Sequence, residues 1–184
     1  MFNLPAVGIL ELKSIARGYV VADVMIKKSQ VQLIKAHSIC PGKFIVMVAG
    51  EVEEVKEAME SGRERAGDLL IANIYIPYVH EGIIPALTAT TKNIKWDAVG
   101  IVESFSVADA FLAMDVALKK AAVQAADIRL ANGLGGKAYF ILTGELNDME
   151  EAVGAAKELL LSEGNLVGFE IIANPHQEFL NTLF

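Results

Sequence analysis

The chain has one cysteine and one tryptophan in 184 residues, three histidines and five prolines, and no excess of positive charge. A single thiol forbids an intrachain disulfide. The opening residues also show no basic leader followed by an apolar stretch and a small-residue cleavage site, and together these features predict a reducing, cytoplasmic setting. No charge-free apolar run approaches the ~18 residues that a spanning helix needs, so a membrane is not expected as a partner. With 16 Lys and Arg against 23 Asp and Glu, a net charge of −7, there is no basic stripe to neutralise phosphates, and nucleic acid is not expected either. Scarce soft ligands argue against zinc. His37 and Cys40 share one loop, a tetrahedral site needs two further ligands, and no suitable cluster occurs elsewhere.

Apolar residues are abundant, at 53% of the chain with a mean hydropathy of +0.41. Contacts between subunits explain that excess better than lipid does. The length suits one large domain or two small ones, and an internal repeat decides for two. Ala6-Val7-Gly8-Ile9-Leu10-Glu11 recurs as Ala98-Val99-Gly100-Ile101-Val102-Glu103, and the match continues through Ser14/Ser106, Asp23/Asp115, Lys27/Lys119, Lys28/Lys120 and Gln32/Gln124. A period of roughly 90 residues exceeds that of solenoid repeats, so each copy is a domain. Past the middle of each copy the register shifts: Gly42-Lys43 matches Gly136-Lys137, and Gly50-Glu51 matches Gly144-Glu145, which gives the second copy a longer loop. The expected division is a first domain over 1–87, a linker over 88–97 and a second domain over 98–184.

Within the first copy, Ala6–Leu12 reads as a strand. Ser14 caps a helix to about Lys28, with Ile15, Tyr19, Ala22 and Ile26 on one face. Val31–Ser38 and Phe44–Ala49 read as a strand pair, Val52 to about Arg65 as a helix and Leu69–Ile76 as a returning strand. Ile83–Leu87 is expected as a short helix. The second copy repeats the plan with strand Ala98–Ser104, a helix capped by Ser106, strands Val123–Leu130 and Ala138–Thr143, helix Asp148–Leu161, strand Leu166–Ile172 and a tail helix ending at Phe184. The order β-α-β-β-α-β predicts an α+β fold of two tandem ferredoxin-like domains, with a permuted strand order left open.

The candidate sites are few. Ser38-Ile39-Cys40-Pro41-Gly42-Lys43-Phe44 carries the only thiol between two apolar runs, and Pro41-Gly42 suits the centre of a type II turn with Cys40 at its leading edge. A cysteine there is either an exposed reactive group or an inert small hydrophobe. Ala131-Asn132-Gly133-Leu134-Gly135-Gly136-Lys137 superficially resembles a phosphate cradle. A strand rather than a helix follows it, however, and no Ser or Thr comes after Lys137, so a glycine-rich turn that lets backbones approach closely is the better reading. His80 and His176 occupy equivalent places, as do Glu11 and Glu103, which points to shared architecture rather than an acid–base set. Lys27-Lys28 and Lys119-Lys120 end the first helix of each copy, where cations complement the helix dipole.

Taken together, the Ala-Val-Gly-Ile openings, the Asp23–Lys27 and Asp115–Lys119 segments, the Gly-Lys after each loop, the Gly50-Glu51 and Gly144-Glu145 punctuation and the Ile76-Pro77-Tyr78-Val79-His80 ending resemble tandem-domain bacterial microcompartment shell proteins over almost the whole chain. The lone cysteine in Ile39-Cys40-Pro41-Gly42-Lys43-Phe44 makes the chain similar to the propanediol-utilisation type, which carries an iron–sulfur cluster in its pore. The resemblance implies a homotrimer forming a pseudohexameric tile in a shell within the cytoplasm, with other microcompartment shell proteins as partners. It also implies pore-lining loops at Ser38, Ile39, Pro41 and Gly42 and at Asn132, Gly133, Leu134 and Gly135, and tile edges near Lys27 and Lys119. The family's Ile-Pro-Arg-Pro-His segment is altered here: Tyr78 and Asn174 stand where its arginine would be, so that arginine contact between tiles does not carry over.

Only the first-copy loop bears a thiol, so a trimer brings three Cys40 thiolates together. That donor set suits an iron–sulfur cluster of the 4Fe-4S kind shared by three chains, whose fourth iron takes another ligand. Such a tile is not an enzyme. It would pass electrons across the shell to a redox enzyme or flavoprotein, and the alternative is a metabolite-conducting pore without a cluster.

Overall fold

A computed structural model of the chain describes residues 5–183. The outermost residues of the expected domains, 1–4 and 184, lie outside the described residues. The first copy runs β1 (Ala6–Leu12), α1 (Ile15–Lys28), β2 (Gln32–Ile39), β3 (Lys43–Gly50), α2 (Val52–Ala66) and β4 (Leu70–Pro77), followed by α3 (Ile83–Leu87). The second runs β5 (Ala98–Ser104), α4 (Val107–Lys120), β6 (Gln124–Leu130), β7 (Ala138–Gly144), α5 (Leu146–Ser162) and β8 (Leu166–Ile172), followed by α6 (Gln177–Leu180). The sheets are ordered β2-β3-β1-β4 and β6-β7-β5-β8, each wholly antiparallel. That is the ferredoxin-like order expected from the alternation of patterns. Helix α5 starts at Leu146, two residues before the expected Asp148. The tail helix ends at Leu180, short of the expected Phe184.

The chain divides into two units. The first runs to Val79 and takes in Ala131–Gly136; the second comprises His80–Leu130 and continues from Lys137. Local chemistry sets the helix ends in both. Ser14 Oγ accepts the Arg17 N–H at 3.2 Å and Ser106 Oγ the Asp109 N–H at 3.1 Å, each satisfying a donor that the first helical turn leaves over. Lys27-Lys28 and Lys119-Lys120 fall in the last turns, beside the negative end of the helix dipole.

In the first unit Ala6, Leu10, Leu12, Phe44, Val46 and Val48 face the helices and meet Val21 and Met25 of α1 and Val55 and Met59 of α2. The buried stripe of α1 is Gly18, Val21, Ala22 and Met25. The stripe expected from periodicity is thereby corrected, because Ile15, Tyr19 and Ile26 are exposed. Gly18 is the cause. A Cβ there would lie 2.2 Å from Phe44 Cδ1, so the bare backbone is what admits the ring. Tyr19 then packs beside the same ring, with centroids 4.7 Å apart. In the second unit α6 supplies Leu180 and Phe179 to a cluster with Val99, Ala126, Ile141 and Trp96, and α3 lies along β6.

Candidate functional site

The thiol sits where β2 turns into β3. Ile39 and Lys43 are the last paired residues of the hairpin, and the Gly42 N–H returns to Ile39 O at 3.0 Å. The turn is therefore Ile39-Cys40-Pro41-Gly42, with Cys40 and Pro41 at its centre and a cis Cys40–Pro41 peptide. This corrects the expected type II turn: proline at the third position with a cis bond is the type VI arrangement, and Gly42 leaves it at φ 82°. Cys40 is half-buried. Its N–H donates to Ala131 O at 3.1 Å, which ties the turn to the second loop.

That second loop, Ala131–Gly136, belongs to the same unit as the turn. Ala131, Gly133, Gly135 and Gly136 all have positive φ, from 49° to 91°. A Cβ at Gly136 would meet Pro41 Cδ at 3.2 Å and Cys40 O at 3.4 Å, so glycine is what allows the loop to lie against the turn. Lys137 is occupied, donating to Glu103 at 2.7 Å. Gly136 thus serves close approach of backbones, while Gly133 and Gly135 have open space around a Cβ and serve the positive φ of the loop. Ser38, Pro41, Gly42, Asn132, Gly133 and Gly135 are exposed, Leu134 is half-buried, and Ile39 is buried beneath the turn. The contact of Ala131 and Gly136 with the Cys40 turn was missed from the sequence, although the longer second loop was its visible signal.

Glu11 and Glu103 each hold the lysine that follows a loop. Lys43 donates to Glu11 at 2.7 Å, as Lys137 does to Glu103. Lys43 is one residue past Gly42, so its ion pair anchors the foot of the turn that carries Cys40. Glu11 is 2% exposed, and its second oxygen has no hydrogen-bond partner among the described residues. The paired histidines are structural, as expected: His80 Nδ1 accepts the Gly82 N–H and His176 Nδ1 the Glu178 N–H, each at 3.2 Å.

The edge lysines differ. Lys27 meets Asp23 at 2.6 Å with both side chains in solvent, a pair contributing no more than ~0.5 kcal/mol. Lys119 meets Asp115 at 2.5 Å, and that carboxylate is buried and also accepts the His80 N–H at 2.8 Å. Lys119→Asp should therefore lower stability by about 2 kcal/mol, because it removes the charge that offsets a buried carboxylate and adds a like charge. Lys27→Asp should lower it by less, about 0.5–1 kcal/mol, because the lost pair with Asp23 is exposed and the new acid stands at the negative end of the helix. Thermal melts of the two variants check this, and equal shifts would show the sites to be equivalent.

An iron–sulfur cluster asks for Cys thiolates as its ligands. Cys40 suits that demand, half-exposed on a turn pinned through its own N–H. One chain supplies one such donor, and among the described residues no group of three or more His, Cys, Asp or Glu is placed to hold a metal ion. One chain by itself therefore offers such a cluster a single thiolate.

The BMC domain family matches residues 6–79 and again 98–175. The chain belongs to that family, as a tandem-domain shell protein of bacterial microcompartments. It is 40% identical over 172 residues to the bacterial microcompartment shell protein PduT of Citrobacter freundii, covering 94% of each chain. A microcompartment protein of Desulfitobacterium hafniense known from its crystal structure has a TM-score of 0.90 at 36% identity, over 96% of this chain and 98% of that one. The carboxysome shell protein CsoS1A of Hydrogenovibrio crunogenus is 32% identical over 90 residues, 47% of this chain but 94% of its own, so one such protein corresponds to one copy of the repeat.

Proposed function

We propose that three chains close into a pseudohexameric tile of a microcompartment shell in the bacterial cytoplasm, set among other microcompartment shell proteins. The Cys40 turn and the Asn132–Gly135 loop of each chain line its pore, and Lys27 and Lys119 stand near its edges. The role is structural rather than enzymatic. In this reading the Cys40 thiolates of the three chains hold an iron–sulfur cluster, and the chain adds no further thiolate to it, since Cys40 is its only thiol. When bound, such a cluster supplies one-electron transfer, and a redox enzyme or flavoprotein is the partner it would serve.

The observation that carries this reading is a half-exposed thiol on a turn braced from both sides, by Ala131 O on its N–H and by the Glu11–Lys43 pair at its foot. The bracing limits how far the donor can wander, so ordering it costs little when a cluster binds. Protein prepared without oxygen and reconstituted with iron and sulfide should bind iron and give the absorption and EPR spectra of a cluster. If it binds none, the pore is left as a route for a small metabolite. Light scattering should give a mass near three chains, and a monomer at every concentration would end the pore reading altogether. Lys27→Asp should keep the trimer yet impair growth of tile sheets, because it places repulsive charge at an edge; unchanged sheets would remove Lys27 from that contact.

A further inference from the structure

Asn132 is the only asparagine of the chain that a glycine follows. Asparagine amides are thermolabile, and this pair can react with itself. The backbone nitrogen of the following residue closes a five-membered ring on the asparagine amide carbon, and glycine puts no Cβ in its path. A fold permits the reaction where the amide reaches water, the nitrogen is free of hydrogen bonds and the backbone has room to swing. Regular strands and helices deny the last two.

Asn132 and Gly133 meet all three conditions. Both are exposed. Among the described residues neither the Asn132 side chain nor the Gly133 N–H makes a hydrogen bond. Gly133 stands at φ 72°, and a Cβ there would find nothing within 4 Å, so the space around the nitrogen is open. The other described asparagines are each hindered. Asn73 lies in β4 and Asn147 in α5. Asn165 donates to Asp109, and Asn181 accepts from Gln177. Pro175, after Asn174, has no N–H to give up. Asn93 comes nearest, exposed in a loop at φ 56°. Its successor is Ile94, whose branched Cβ crowds the attacking nitrogen.

We propose that Asn132 is a self-modifying site, at which the second loop turns a neutral amide into a carboxylate without an enzyme. The Gly133 nitrogen attacks Asn132 Cγ. Its bond to Cγ forms as the Cγ–Nδ2 bond breaks, and ammonia leaves with the proton that the nitrogen gave up. Water then opens the five-membered imide at either carbonyl. One opening gives aspartate; the other gives isoaspartate, which lengthens the main chain by one carbon. Either product adds a negative charge to the loop whose Ala131 O holds the Cys40 N–H at 3.1 Å. The modification stands independently of the pore, but its consequence rests on the reading proposed above: three such loops line one pore, so an ageing tile draws cations there in preference to anions.

The test is peptide mapping by mass spectrometry of the full chain, kept for days in warm, mildly alkaline buffer beside the same chain unfolded in urea. The folded protein should gain about 1 Da on the fragment that carries Asn132, resolving into two products. The fragment with Asn93 should keep its mass. Gly133→Ala should slow the gain about tenfold, since its methyl crowds the nitrogen. That variant also strains a residue at positive φ, so Asn132→Gln supplies the second check. Glutamine would need a six-membered ring, and ammonia released by the folded variant should fall to near nothing. The inference is overturned if the Asn132 fragment keeps its mass in the folded protein while the unfolded chain is modified there, if Asn93 reacts as fast, or if Asn132→Gln releases as much ammonia as wild type. None of these outcomes touches the trimer or the cluster, which light scattering and iron binding test separately.

Discussion

Cys40→Ser, purified and reconstituted without oxygen, is expected to lose nearly all bound iron while melting at the wild-type temperature. Thiolates are the ligands of iron–sulfur clusters, and a serine hydroxyl remains protonated at neutral pH and donates far less charge to iron. The fold should not notice the change, because the thiol is half-exposed and the bond that pins the turn, from the Cys40 N–H to Ala131 O, belongs to the backbone. Gly135→Ala supplies the contrast. Gly135 has φ 62° with nothing within 4 Å of a Cβ, so alanine strains the loop by about 1 kcal/mol but takes no ligand away. Iron per chain should be unchanged in that variant. Full iron retention in Cys40→Ser would remove the thiol from the site and with it the electron-conduit reading.

Gly18→Ala is expected to be the more damaging of two matched substitutions, with Gly154→Ala moving the other way. Alanine in a helix interior gains about 1 kcal/mol over glycine. At Gly154 on α5 nothing lies within 4 Å of the new Cβ, so that gain should appear as a raised melting temperature. At Gly18 the new Cβ would stand 2.2 Å from Phe44 Cδ1, on a ring that is fully buried and cannot swing aside. Overpacking of this kind costs about 1–3 kcal/mol or more, enough to outweigh the propensity and lower the melting temperature by several degrees. Phe44 lies two residues beyond the Cys40 turn and Gly18 sets which stripe of α1 faces inward, so the variant should also loosen the turn and the open helix face. Circular dichroism melts of both proteins decide the matter: a Gly18→Ala variant as stable as wild type would mean that α1 does not dock through its glycine.

The sequence by itself determined the duplication, the order of elements and most of their bounds. Those features are local or periodic: serine caps at Ser14 and Ser106, short apolar runs such as Ala6–Leu12, and helical spacing in Val52–Ala66. It also singled out two loops, since Cys40 is unique and the glycines of the longer second loop stand out. The inward face of α1 was decided only by tertiary structure. Two apolar stripes compete on that helix, and the choice depends on Phe44, which reaches Gly18 because β3 pairs with β1 in the register Leu12↔Phe44. The placement of the turn was likewise not legible, because whether Cys40-Pro41 or Pro41-Gly42 stands at its centre depends on where strand pairing ends, at Ile39 and Lys43. Lys27 and Lys119 look alike in the repeat, yet only Asp115 is buried and holds the His80 N–H. Repeated residues share their local geometry, but burial and long-range hydrogen bonds depend on what else in the fold reaches each copy, and no single stretch of sequence carries that information.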